Sequence, residues 1–236
     1  MPERARKHFQ DELAELEQQT LGALDMVVGQ LDNAMEALIR HDVELSHLVV
    51  ADDDRLDGRY LEVHQGVLGL IARQAPVAGD LRLAAALLHV IRHAERMGDH
   101  CVNIAKLVPL DDPQPRTDDL LLEKLARMGQ HARLQVVQAR RCFADRNVQM
   151  ALDLVRLDDE IDRLNRECFD RVVEISDDLE LREWGMHMML AARNIERIGD
   201  YAVDVGEQTA FVVTGLFQEF QDASHPELSP QVDSDA

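Results

Sequence analysis

Glu95-Arg96-Met97-Gly98-Asp99 recurs 101 residues later as Glu196-Arg197-Ile198-Gly199-Asp200. An earlier segment repeats at an offset of 105, where Val43 to Glu62 falls on Val148 to Glu167. There Asp53, Asp54, Asp57 and Glu62 land on Asp158, Asp159, Asp162 and Glu167. The four-residue change of offset falls between the two segments, where a loop absorbs insertions and deletions. The chain is two copies of one unit, so the secondary structure of that unit decides the fold.

Proline placement gives it. The seven prolines stand at 2, 76, 109, 113, 115, 226 and 230. A proline inside a helix costs about 3 kcal/mol, so the long proline-free stretches between them are free to be helical. They are also periodic. Phe9, Leu13, Leu16, Thr20, Leu24, Val27, Leu31, Ala34 and Leu38 form one stripe at helical spacing, and Leu83, Leu87, Ile91, Ala94, Gly98, Cys101, Ala105 and Val108 form another. The spacing predicts six helices, near 8–40, 43–73, 78–108, 117–144, 147–176 and 180–218. Short loops force antiparallel neighbours. The expected fold is all-α, with two tandem antiparallel three-helix bundles related by the internal repeat. The first bundle spans 1–110, a linker 111–116, the second bundle 117–219, and 220–236 reads as a disordered tail.

The formal net charge of −20 sets the chain against nucleic-acid phosphates and anionic lipid headgroups and favours cations and basic protein surfaces. Cys101, Cys142 and Cys168 form no C-x-x-C pair and fall inside apolar patterns, which suits buried packing in a reducing cytosol. The opening Met1-Pro2-Glu3-Arg4 has no apolar leader core, and no apolar run approaches the roughly 18 residues of a spanning helix. The expected location is the cytoplasm, with membranes met only through partners.

Glu95 and Asp99, and again Glu196 and Asp200, sit four residues apart. That spacing puts both carboxylates on one helix face with Cβ atoms about 5–6 Å apart, an arrangement that repels unless something cationic intervenes. Asp53 with Asp57, and Asp158 with Asp162, repeat the spacing one helix earlier. If Asp53 stands level with Asp99 and Asp57 with Glu95, the hairpin turn centres on residue 76, which is Pro76. The same construction in the second half levels Asp158 with Asp200 and Asp162 with Glu196, and centres the turn within three residues of Ser176-Asp177-Asp178. Each bundle then gathers four carboxylates, an all-oxygen set suited to Mg, Mn, Ca or oxidised Fe. Asn103 and Asp204, one turn further on, extend the sets. The competing reading is a solvated face in which these acids pair with Arg92, Arg96, Arg193 and Arg197. No repeated Glu-x-x-His, Gly-rich phosphate loop or nucleophile–base pair occurs, so the residues suggest no catalysis.

The stretch His93-Ala94-Glu95-Arg96-Met97-Gly98-Asp99-His100-Cys101-Val102-Asn103-Ile104-Ala105 resembles the signature of the PhoU family, as does Arg193 through Asp204. Gln74-Ala75-Pro76-Val77-Ala78-Gly79-Asp80-Leu81-Arg82 is similar to the turn that precedes the family's third helix. The resemblance runs over nearly the whole chain. It implies metal clusters, often iron, held by Glu95, Asp99, Glu196 and Asp200, with Mn, Mg, Zn or Ca as other candidate ions. It implies a cytoplasmic, commonly dimeric negative regulator of phosphate uptake and of the phosphate-starvation response. Its partners would be the ATPase subunit of the phosphate-specific ABC transporter and a sensor histidine kinase. The chain departs from the family's pattern at His93, where an acid is usual, and at Asp204-Val205-Gly206, which stands in place of Asn-Ile-Ala. Two rival functions are weighed against the regulator: a helical scaffold with no metal requirement, and an oxygen-activating metalloenzyme.

Overall fold

A computed structural model describes residues 3–74, 76–110, 116–175 and 178–220. Six helices follow in order: α1 (Glu3–Arg40), α2 (Val43–Gln74), α3 (Ala78–Ala105), α4 (Asp119–Asp145), α5 (Val148–Glu174) and α6 (Leu179–Thr214), with a 3-10 turn at Val108–Leu110. No strand occurs among the described residues. The all-α reading and the count of six long helices hold.

The helix ends show where periodicity stops being informative. α1 begins five residues before the expected start because Glu3 to Lys7 are good helix formers that add nothing to the apolar stripe. α3 stops at Ala105 rather than Val108, since Pro109 disfavours the α conformation in the residue before it, and the chain tightens into the 3-10 turn. α6 stops at Thr214, short of 218, because Gly215 takes the left-handed conformation at φ 78° and donates its N–H to Phe211 O at 2.9 Å. The repeat is visible in the backbone as well. His41 and Arg146, equivalent at the 105 offset, both end a helix at positive φ, 51° and 54°. The next residues, Asp42 and Asn147, cap the following helices by accepting from Leu45 N at 2.9 Å and Met150 N at 3.1 Å.

Within each half the three helices pack on one another: α1, α2 and α3, then α4, α5 and α6. The halves also meet along two seams, α3 against α6 and α1 against α4. One continuous core results, with Leu24, Leu31, Leu56, Leu87, Ile91 and Met97 of the first half joined to Leu121, Leu125, Met128 and Phe143 of the second. Across the α1–α4 seam, Arg133 reaches Asp32 at 3.0 Å, Arg140 reaches Asp25 at 2.7 Å and Arg146 reaches Glu17 at 2.7 Å. These pairs are partly solvated and worth at most about 1 kcal/mol each, so the apolar burial holds the seam and the ion pairs fix its register.

The three cysteines are free and buried, as expected, and burial pushes the thiols of Cys142 and Cys168 up to about 11. Most of the expected linker lies at 111–115, outside the described residues, as does nearly all of the expected tail. The first residue assigned to that tail is a correction. Phe220 is buried, packs near Gly206, and donates its N–H to Glu207 Oε1 at 2.8 Å. Its aromatic ring supplied the apolar signal, but its distance from the last helical repeat hid the contact.

Candidate metal centre

α3 and α6 carry the repeated acids, and α2 and α5 present the second set to them. Asp53 lies within the electrostatic reach of Asp99 and Asp57, and Glu95 within that of Asp57 and Asp99. Asp200 faces Asp158 and Asp162, and Glu196 faces Asp162 and Asp200. Four carboxylates of each half thus lie within one another's electrostatic influence. Burial, followed by the negative neighbours, holds the carboxyls of Asp53, Glu95, Glu196 and Asp200 above their ordinary values.

Arginines offset part of this repulsion. Arg92 reaches Glu95 at 3.0 Å and Arg96 reaches Asp99 at 3.4 Å, and in the second half Arg193 pairs with Glu196 while Arg197 reaches Asp200 at 3.3 Å. Among the described residues no three His, Cys, Asp or Glu side chains stand close enough to form a ready ligand set. Even so, Glu95 Oε2 is buried with no hydrogen-bond partner. Arg96 Nε stands 3.8 Å from that oxygen, an ion pair without a hydrogen bond, and the carboxylates of the site are the hard oxygens that a hard cation takes. The residues present fit such an ion in chemistry.

The sequence reading missed two members of this site. Gln30 of α1 donates Nε2 to Asp53 Oδ1 at 3.0 Å, and Gln135 of α4 donates Nε2 to Asp158 Oδ1 at 3.1 Å. They are equivalent at the 105 offset, so extending the repeat backwards into the first helix of each half would have found them. Their amides fix the inner carboxylates, and the glycines of the signature make room for both. A Cβ on Gly199 would stand 2.7 Å from Gln135 Oε1 and 2.9 Å from Asp158 Oδ1. On Gly98 it would stand 3.1 Å from Gln30 Oε1 and 3.2 Å from Asp53 Oδ1. At Gly199 glycine is required because the buried amide and carboxylate approach too closely for a side chain, whereas at Gly98 the nearest atom is Leu56 Cδ2.

Asn103 and Asp204, the two outer candidates, go different ways. Asn103 is exposed at the mouth of a cavity beside Asp53 and Asp99. Asp204 is driven up to about 6 by burial and by Asp200, Glu219 and Asp158. His93 Nδ1 lies 3.5 Å from Asp204 Oδ2, but burial, His89 and Arg92 hold that imidazole down to about 4, so the contact joins a neutral ring to the carboxyl. His93 serves the seam between halves, not the ligand set. His100 does likewise, meeting Asn194 at 2.8 Å across the seam.

One turn beyond Asp204, burial, with Asp204 and Glu219 nearby, raises the Glu207 carboxyl to about 7 against the pull of the Phe220 N–H. A carboxyl raised on folding contributes stability that is complete below its unfolded value near 4.5 and is lost as pH rises through about 7. Thermal unfolding between pH 5 and pH 8 is therefore expected to show falling stability with rising pH. Glu207→Gln, which keeps an acceptor for Phe220, should flatten that fall; an unchanged slope would assign it to other groups.

The PhoU domain matches residues 21–108 and 125–209, one copy in each half. The chain belongs to the PhoU family. Among its relatives, the phosphate-specific transport system accessory protein PhoU homolog of Clostridium acetobutylicum is 29% identical over 92% of this chain and 99% of its own length. The homolog of Caulobacter vibrioides, under the same description, is 30% identical over 91% of this chain and 94% of its own. Among solved structures, the phosphate transport system regulatory protein PhoU from Streptococcus pneumoniae superposes with a TM-score of 0.82 at 25% identity, covering 89% of this chain and 99% of that one. PhoU from Pseudomonas aeruginosa reaches 0.80 at 24% identity over 88% of this chain, a likeness of fold. No helix among the described residues is long and apolar enough to cross a membrane.

Proposed function

We propose that the chain is a non-catalytic, cytoplasmic negative regulator of phosphate uptake and phosphate-starvation signalling. It acts with the ATPase subunit of a phosphate-specific ABC transporter and with a sensor histidine kinase, and it works as a homodimer. The observation that carries this reading is the match of both halves to one domain, with the Glu-x-x-x-Asp pair at the same place in each. The similar proteins are an accessory protein of the phosphate-specific transport system and a phosphate transport system regulatory protein.

On this reading Glu95, Asp99, Glu196 and Asp200 would hold metal ions, with Asp53, Asp57, Asp158 and Asp162 supporting from the neighbouring helices and Asn103 and Asp204 at the rim. Iron is the first candidate, with Mn, Mg, Zn and Ca behind it. A bound cation would supply charge neutralisation where four carboxylates meet, tying α2 to α3 and α5 to α6. The scaffold reading has one observation in its favour, the arginine partner that each of the four core acids already has.

Secreted phosphatase activity in phosphate-rich medium separates the readings. A deletion strain complemented by wild type is expected to be silent, and one complemented by the combined Glu95→Ala, Asp99→Ala, Glu196→Ala, Asp200→Ala variant to express the enzyme. Silencing by both chains would leave a regulator without a metal requirement. Deletion with no effect on the phosphatase would remove the regulatory reading.

A further inference from the structure

The two halves differ at one place where their sequences should agree. At the 101 offset Asn103 corresponds to Asp204 and Lys106 to Glu207. The second half therefore carries two acids where the first carries an amide and a cation. A cavity of about 580 Å³ opens at the first-half side, lined by Arg96, His100, Asn103 and Lys106 of α3 and its end, and by Arg197 and Tyr201 of α6. Asp53 and Asp99 also border it. Three fixed cations thus meet two carboxylates, in a chain whose acids outnumber its bases 45 to 25. Asp99 from the lining and Asp200 from outside it each pair one of the arginines, which leaves Lys106 as the cation with no ion pair among the described residues.

Donor capacity points to an anion. Arg96 gives one long hydrogen bond, from Nη1 to Asp99 at 3.4 Å, with its Nε 3.8 Å from Glu95 Oε2, and Arg197 gives one from Nη1 to Asp200 at 3.3 Å. Each guanidinium carries five N–H donors, so most remain for another acceptor. Lys106 makes no ion pair among the described residues and is exposed at the mouth. Asp53 is bound by Gln30 on its inner side, and Asp99 is engaged by Arg96. The rings of His100 and Tyr201, equivalent in the repeat, lie stacked with centroids 5.8 Å apart at 29°, and His100 is fixed by Asn194.

We propose that this cavity binds a phosphate-type dianion that bridges the two halves, with Arg96 from the first and Arg197 from the second as paired donors and Lys106 as the third cation. Guanidinium forks suit tetrahedral oxyanions, and two from opposite halves on one ligand would tie α3 to α6. The proposal rests on the regulatory reading for its biological meaning, since it would make the chain itself a receptor for the signal.

The test is titration of the full chain, stripped with chelator so that no metal carries the anion, with inorganic phosphate at constant ionic strength by calorimetry and phosphorus NMR line width. Saturable binding of one phosphate per chain is expected. Lys106→Ala and Arg197→Gln should each weaken it by about tenfold, while Arg141→Gln, whose charge pairs with Asp145 away from the cavity, should not. Both affected side chains are partly or fully exposed, and retained helicity with an unchanged melting midpoint checks that the variants fold. Absence of saturation, or saturation indifferent to both variants, overturns the site. Saturation by a phosphomonoester such as AMP without saturation by inorganic phosphate overturns free phosphate as the ligand. The phosphatase assay stands apart from these outcomes: a chain that silences the phosphatase yet binds no phosphate refutes the cavity alone.

Discussion

Gly199→Val is expected to destabilise the protein by about 3 kcal/mol, a fall in melting midpoint of about 6–12 °C for a chain of this length. Its first added carbon would already stand inside contact distance of Gln135 Oε1 and Asp158 Oδ1, at 2.7 and 2.9 Å. Both residues are buried, so neither side chain can leave for solvent. Two further methyl carbons must push α6 away from α4 and α5 or expel the carboxylate. Gly98→Val should cost less, because the nearest atom is the flexible end of Leu56, and the polar atoms stand off at 3.1 and 3.2 Å. Circular dichroism during heating measures both. A Gly199→Val chain as stable as wild type would mean that the helices part freely at this level. In that case the glycine would not be there for close approach.

The second large effect concerns the cation. The chelator-stripped chain is expected to gain about 2.7 kcal/mol when a metal that it binds is supplied at a hundred times its dissociation constant. The source of the gain is the cost of keeping Glu95 and Asp53 in one half, and Glu196 and Asp200 in the other, charged where burial first and neighbouring carboxylates second raise all four carboxyls. The fourfold alanine variant should show no gain, because the four core carboxylates proposed to hold the metal are gone. Fe, Mn, Mg, Zn and Ca tried in turn, all without a shift of the melting midpoint, would leave the arginines as the acids' only counter-ions.

Much of this geometry could be read from sequence because helical hairpins obey an index rule. Once Pro76 marked the turn, Asp53 had to face Asp99 and Asp57 had to face Glu95, and the electrostatic neighbours follow that register. The second half follows it too, with Asp178 capping α6 at the expected turn by accepting from Glu180 N at 3.1 Å. What stayed hidden came from elements distant in sequence. Gln30 and Gln135 reach the acids from the first helix of each half, and a buried amide looks like a polar break in an apolar stripe. The seams between halves were equally silent, since a helix stripe says that a face is covered but not by which helix. His93 and His100 belong to that class. Phe220 was lost for another reason: a single aromatic beyond a glycine stop carries no period.

The α3–α6 seam has a consequence for ancestry. A half-length chain that paired through the same faces would be a twofold dimer, and identical subunits must place the same residue at both ends of a symmetric interface. Joining the copies into one polypeptide removes that constraint. Asn103 and Lys106 in one half, with Asp204 and Glu207 at the equivalent positions of the other, are differences that only the fused form permits. Each protomer thus carries internally what would otherwise be a quaternary contact, and a homodimer of the whole chain would have to find a different surface on which to assemble.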